Sequence, residues 1–257
     1  MLTRDSFGEF FALLNGGHRP FAWQQRLLDH VLDTGRWPDE INAPTGSGKS
    51  SVVDVHVFAN ALYAVGHGPR VPRRLAVVVN RRALVDHHLL HAEAIAASLK
   101  EAQDGLLRDV SSALKSLTAD ASNAPSVSTA DPLGCASLRG GVTPDREWIS
   151  DPRTCAVIAA TPDMWGSRVL FTAYGTSRRA RPREAGLLVM DSVVVLDEAH
   201  LTRQLLVTAE IVGSLAQPSE VALGVPSLQV VATTATPSAA HAGLLQHQAA
   251  VPRPGGR

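Results

Sequence analysis

"NAPTGSGKSS", residues Asn42 to Ser51, sets two glycines, a lysine and four hydroxyl residues between the short segment "DEIN" and a long apolar one. Glycines let backbone N–H groups converge on an anion, and a helix N-terminus favours negative charge, so the stretch reads as a phosphate loop joining a strand to a helix. The pattern for such a loop is G-x-x-x-x-G-K-[ST]; Ala43 takes the first glycine position, and Gly48, Lys49 and Ser50 fill the last three. The expected ligands are ATP and Mg²⁺. Backbone amides of Thr45, Gly46, Ser47, Gly48 and Lys49 would cradle the phosphates, the Lys49 ammonium would reach the β/γ oxygens, and the Ser50 hydroxyl would ligate the metal. A glycine-rich surface turn with an exposed lysine is the plainer alternative.

Working outward, short apolar runs alternate with amphipathic segments through most of the chain, which predicts an α/β fold with a mostly parallel sheet and helices on both faces. Strands are expected at Glu40–Ala43, Leu75–Val79, Cys155–Ala159, Val193–Leu196 and Leu228–Thr233. Helices are expected at Trp23–Asp33, Lys49–Val65, Ala83–Lys100, Met164–Thr172 and Leu201–Leu215. "SSVVDVHVF" is ambiguous because Val53, Val55 and Val57 alternate as in a strand; it is read as helix because a phosphate loop needs one after it. One domain is expected over residues 1–240. A mobile insertion is expected at 104–142, where "TADASNAPSVSTADPLG" has too little apolar content to pack, and a disordered tail at 241–257.

The chain has 257 residues, of which 45% are hydrophobic, enough for a substantial core. Lys plus Arg and Asp plus Glu are 24 each, so any contact with a polyanion must come from local basic patches rather than a whole-molecule field. The two cysteines, Cys135 and Cys155, lack metal or redox spacing and are read as structural thiols of a reducing compartment. With no apolar run long enough to span a bilayer and no signal peptide, a cytoplasmic protein without a membrane partner is expected.

"SVVVLDEAHL" supplies the second anchor: a buried apolar strand delivers Asp197 and Glu198 at its C-terminal end, where ligands bind in open α/β sheets. Asp197 is placed to hold Mg²⁺ and Glu198 to orient and deprotonate an attacking water. The alternative is that both acids only cap the following helix.

"APTGSGKS", "LDEAH" and "TTAT" (Thr233–Thr236), in this order, resemble motifs I, II and III of superfamily 2 helicases. The resemblance implies a P-loop, RecA-like domain, with Lys49 and Glu198 catalytic and Thr234 and Thr236 coupling the nucleotide to the nucleic-acid path. "FAWQQRLL" resembles the Q motif, in which Gln24 would read the adenine edge and Phe21 pack on the base. "VVVNRRALVD" resembles motif Ia and "ATPDM" motif Ib. "LRGGVTPDREWISDP", "GSRVLFTAYGTSRRARPREAGLL" and "NRRALVD" are similar to the helicase domain of the CRISPR-associated helicase/nuclease of type I systems, over roughly Arg19 to Pro237.

That resemblance implies a DEAH-box motor that hydrolyses ATP to move on single-stranded DNA, recruited by a CRISPR surveillance complex in antiviral defence. Only the first motor domain is matched. Motifs IV to VI, the arginine finger and the nuclease motif have no counterpart, so the chain is expected to be inactive until a second RecA-like domain joins it in trans. The rival readings are a truncated, non-catalytic nucleotide-binding module or one half of a split superfamily 2 motor, and the motor of another superfamily 2 translocase. Arg81 and Arg82 in motif Ia, and Arg178 and Arg179 in an arginine-rich segment, are candidate nucleic-acid contacts, although charge runs are commonly solvated faces. "DHHLLH" (Asp86 to His91) lies on a predicted amphipathic helix and is not read as a metal site.

Overall fold

Six short strands form one sheet in the computed structural model, which describes residues 2–44, 46–118, 131–141 and 147–234. They are β1 (Glu40–Asn42), β2 (Arg74–Val78), β3 (Gly134–Leu138), β4 (Ala156–Ala160), β5 (Ser192–Leu196) and β6 (Gln229–Thr234). Their spatial order is β1-β6-β5-β2-β4-β3, and every pairing is parallel. The helices are α1 (Phe7–Leu14), α2 (Ala22–Thr34), α3 (Val52–Ala64), α4 (Arg82–Glu101), α5 (Gly105–Ser116), α6 (Glu147–Ser150), α7 (Pro162–Val169), α8 (Arg181–Val189) and α9 (Arg203–Leu223). Among the described residues, no helix is long and apolar enough to cross a membrane.

The period-two geometry of a strand divides the core. Val77, Val157, Val195 and Val231 point into one cluster with apolar residues of α1 to α5. Ala76, Ile158, Val194 and Leu196 point into a second, with Trp165 of α7, Leu188 of α8 and Ala209 of α9. Residues of β2, β4 and β5 are buried throughout, which is why these strands read as unbroken apolar runs.

The ambiguous "VVDVHVF" is helical. Every residue from Val52 to Leu62 is buried, so α3 has no solvated face to print a 3.6-residue period on the sequence. The expected mobile insertion at 104–142 is corrected in part. Gly105–Ser116 forms α5, which buries Val110, Ala113 and Leu114 in the first core, and Gly134–Leu138 forms the edge strand β3, with Ala136 and Leu138 buried. The polar composition of the whole segment concealed one short amphipathic helix and one strand of small residues. Positions 119–130, 142–146 and the expected tail at 241–257 lie outside the described residues. Helices α1 and α8 were also missed, α8 because its first turn lies in the arginine-rich segment.

Candidate nucleotide site

Strand β1 ends at Asn42, and the chain turns through the loop into a single 3₁₀ turn, Lys49–Ser51, before α3 begins. Gly46 and Gly48 hold φ of 79° and 73°, left-handed values that other residues adopt only at a cost. Two side chains of α2 grip the loop from behind. The indole Nε1–H of Trp23 donates to Ser47 O at 2.9 Å, and Gln24 Nε2 donates to Gly48 O at 3.1 Å. Gln24 Oε1 in turn accepts from the Phe21 backbone N–H at 2.8 Å.

Gln24 is 0% exposed, and its amide is engaged at both ends inside the protein, where it braces the loop. Phe21 is half exposed at the N-terminus of α2. Trp23 was not singled out in the sequence, although its place directly before Gln24 was the available signal.

A Cβ added to Gly48 would lie 3.0 Å from Gln24 Nε2, an atom tied at both ends of its amide and unable to swing away. Gly48→Ala is therefore expected to destabilise the protein by about 1–2 kcal/mol, from the positive φ and the displaced brace together. Urea unfolding checks this; an unchanged midpoint would mean that the loop relaxes freely.

Strand β5 carries Asp197 and Glu198 out of the sheet at its C-terminal end. Asp197 N–H still donates to Val78 O at 3.0 Å, and Glu198 then turns the chain with φ 49° and ψ 52°, an uncommon conformation for a residue with a Cβ. That turn aims its carboxylate at the loop. Lys49 Nζ lies 3.0 Å from Glu198 Oε1 and 3.9 Å from Asp197 Oδ1. Thr233 Oγ1 donates to Asp197 Oδ1 at 2.7 Å from β6.

Thr233, which the sequence reading did not single out, is the threonine of this segment that meets Asp197. Alternation in β6 sends neighbouring Thr234 elsewhere, to Glu40 Oε1 at 3.4 Å. Thr45 and Thr236 lie outside the described residues.

A cavity of about 330 Å³ is lined by Gly46, Gly48, Lys49, Ser50, Asp197 and Thr233, and closed on the α4 side by His87 and His88. The charged and hydroxyl donors are a lysine ammonium, a carboxylate and two hydroxyls. Hard oxygen donors of this kind suit Mg²⁺, and glycine amides beside an ammonium suit phosphate. Burial pushes the His88 imidazole down to about 4, against the pull of the Asp197 carboxylate. His91, the other end of "DHHLLH", instead pairs with the fully buried Asp54 at 2.8 Å.

Arg81 and Arg82 are exposed where α4 begins. A Cβ on Gly140 would sit 3.4 Å from Arg82 Nη2, so the guanidinium rests on the "RGG" turn after β3. Arg178 and Arg179 are exposed on the segment leading into α8 and take no part in the nucleotide cavity.

This sheet order, with a phosphate loop after β1 and paired acids after β5, is the RecA-like form of the α/β P-loop fold. No protein-family model and no curated protein sequence matches the chain. The crystal structure of the yeast DEAD-box splicing factor Prp28 matches with a TM-score of 0.50 at 18% identity, over 91% of this chain and 45% of that one. S. cerevisiae Dbp5 bound to RNA and ADP BeF3 matches more loosely, with a TM-score of 0.43 at 14% identity, over 93% of this chain and 47% of that one. The chain thus spans about half the length of the solved structures it matches.

Proposed function

We propose that this chain is the ATP-binding half of a superfamily 2 helicase motor. The observation that carries the reading is the convergence of Lys49, Asp197 and Thr233, drawn from three distant segments onto one cavity at the C-terminal ends of β1, β5 and β6, with Glu198 held beside it by its ion pair to Lys49. In this reading the loop amides from Thr45 to Lys49 and the Lys49 ammonium bind phosphate oxygens. Lys49 leaves Glu198 when it does so, which frees that carboxylate to orient and deprotonate water. Ser50 and Asp197 hold Mg²⁺, which neutralises phosphate charge when bound. Thr233, hydrogen-bonded to Asp197, reports the state of the site to β6, and Thr234 and Thr236 follow it on the same segment.

The finer assignment is ATP-driven movement on single-stranded DNA in type I CRISPR defence, in the cytoplasm, with recruitment by a surveillance complex. It rests on the three segments similar to that helicase/nuclease, each of which lines one cleft, through Arg82, Gly140 and Tyr174. A second RecA-like domain completes the ATP site.

Titration of the purified chain with a fluorescent ATP analogue in Mg²⁺ tests the site. Lys49→Ala is expected to weaken binding by roughly 10- to 100-fold, the loss of a charge-assisted contact to phosphate. Equal affinities for wild type and variant would remove the loop from the functional account.

A further inference from the structure

The segment between α7 and α8, residues 170–180, is held unusually firmly for a connection that displays large apolar side chains. Backbone N–H groups of Leu170, Phe171 and Thr172 donate to Gly166 O, Arg168 O and Ser167 O at 2.8–3.1 Å. Arg168 and Glu184 form a buried ion pair at 3.4 Å, and Thr176 Oγ1 lies 2.9 Å from Glu184 Oε2. Ala173 and Thr176 are buried, yet Tyr174 between them is 79% exposed. Phe171 is 55% exposed and adopts φ 61°, a left-handed conformation that a phenylalanine rarely takes.

An aromatic ring held out by a fixed loop is a preorganised surface. Tyr174 lies on the wall of a broad cleft, together with Leu170 of the same segment, Arg82, Gly140 and Arg203. Two arginines and one aspartate, Asp163, are the charged residues on that wall, and the exposed Arg178 and Arg179 follow on the same loop. Aromatic faces beside guanidinium groups match the two chemical halves of an unpaired nucleic-acid strand, its bases and its phosphates.

We propose that Tyr174 is a stacking platform for a base of a single-stranded nucleic acid lying in this cleft, with Arg82 holding the neighbouring backbone. The inference rests on the reading of the chain as a nucleic-acid motor. It adds a contact that grips the base without selecting its identity, because every base presents a π-face. The buried Arg168–Glu184–Thr176 cluster is the part that positions the ring.

The test is fluorescence anisotropy without nucleotide, comparing a labelled oligodeoxythymidine with an abasic strand of equal length and charge. Wild type is expected to prefer the base-bearing strand. Tyr174→Ala should weaken that binding roughly tenfold and leave the abasic strand unaffected, while Tyr174→Phe retains it. Arg82→Ala should weaken both strands. Equal binding of the two strands by wild type, or a parallel loss on both in Tyr174→Ala, overturns the proposal. So does a self-associated wild type that Tyr174→Ala dissociates, since the patch would then be covered by protein. Because the assay omits nucleotide, a Lys49→Ala result that removes the ATP site leaves this outcome separately readable.

Discussion

Steady-state phosphate release by the purified chain is expected to be very slow with or without single-stranded DNA, and to rise by roughly 10³–10⁵ when a polypeptide carrying a second RecA-like domain is added. Among the described residues, Lys49 and Asp197 line the cavity, Glu198 pairs with Lys49 beside it, and His87, His88 and Leu84 of α4 form part of its wall. Among the described residues, no arginine lines that cavity to face charge developing on a transferred phosphoryl group. Glu198→Gln should abolish the restored activity while leaving analogue binding within a few-fold of wild type, because the amide still fills the position but cannot take a proton. Robust DNA-dependent turnover by the chain alone, lost in Glu198→Gln, would make it a complete enzyme and overturn the half-motor reading.

Acidification from pH 6.5 towards 4 is expected to remove about 3 kcal/mol of stability through His56 alone. His56 is buried in α3, its Nε2 lying 3.2 Å from Arg73 O and 3.5 Å from Cys155 Sγ, and its Nδ1 has no hydrogen-bond partner. Burial pushes its pKa from 6.5 down to about 4. The unfolded chain therefore binds the extra proton first. The stability contributed by the neutral imidazole is full above pH 6.5, falls as pH drops through the window, and is gone below 4. Urea midpoints measured across this range test it. His56→Gln should flatten the wild-type slope, and the part due to His88, shifted the same way, should remain in the variant. Parallel slopes for wild type and His56→Gln would mean that water reaches the imidazole.

Much of the site was legible in the one-dimensional chain because its chemistry is local. A phosphate loop needs glycines, a lysine and a hydroxyl within a few residues of one another, and the paired acids must end an apolar strand. The alternation of buried strands with helices was visible for the same reason, since a parallel sheet covered on both faces leaves long apolar runs. Periodicity failed where burial was complete, in α3, or where average composition diluted a short element, in α5 and β3.

The residue types and their order along the chain determined the α/β class and the glycine-rich loop between β1 and α3, and they marked Lys49, Ser50, Asp197 and Glu198 as the polar groups at the ends of β1 and β5. Tertiary structure alone decided which side chains stand behind and beside them. Lys49 reaches Glu198 across 149 positions of sequence, Thr233 rather than Thr234 meets Asp197, Gln24 turns inward to brace Gly48, and His88 closes the cavity from α4. The reason is geometric: strand order and the alternation of side chains about each strand set these contacts, and both are properties of how distant segments pair, which no local stretch of sequence encodes.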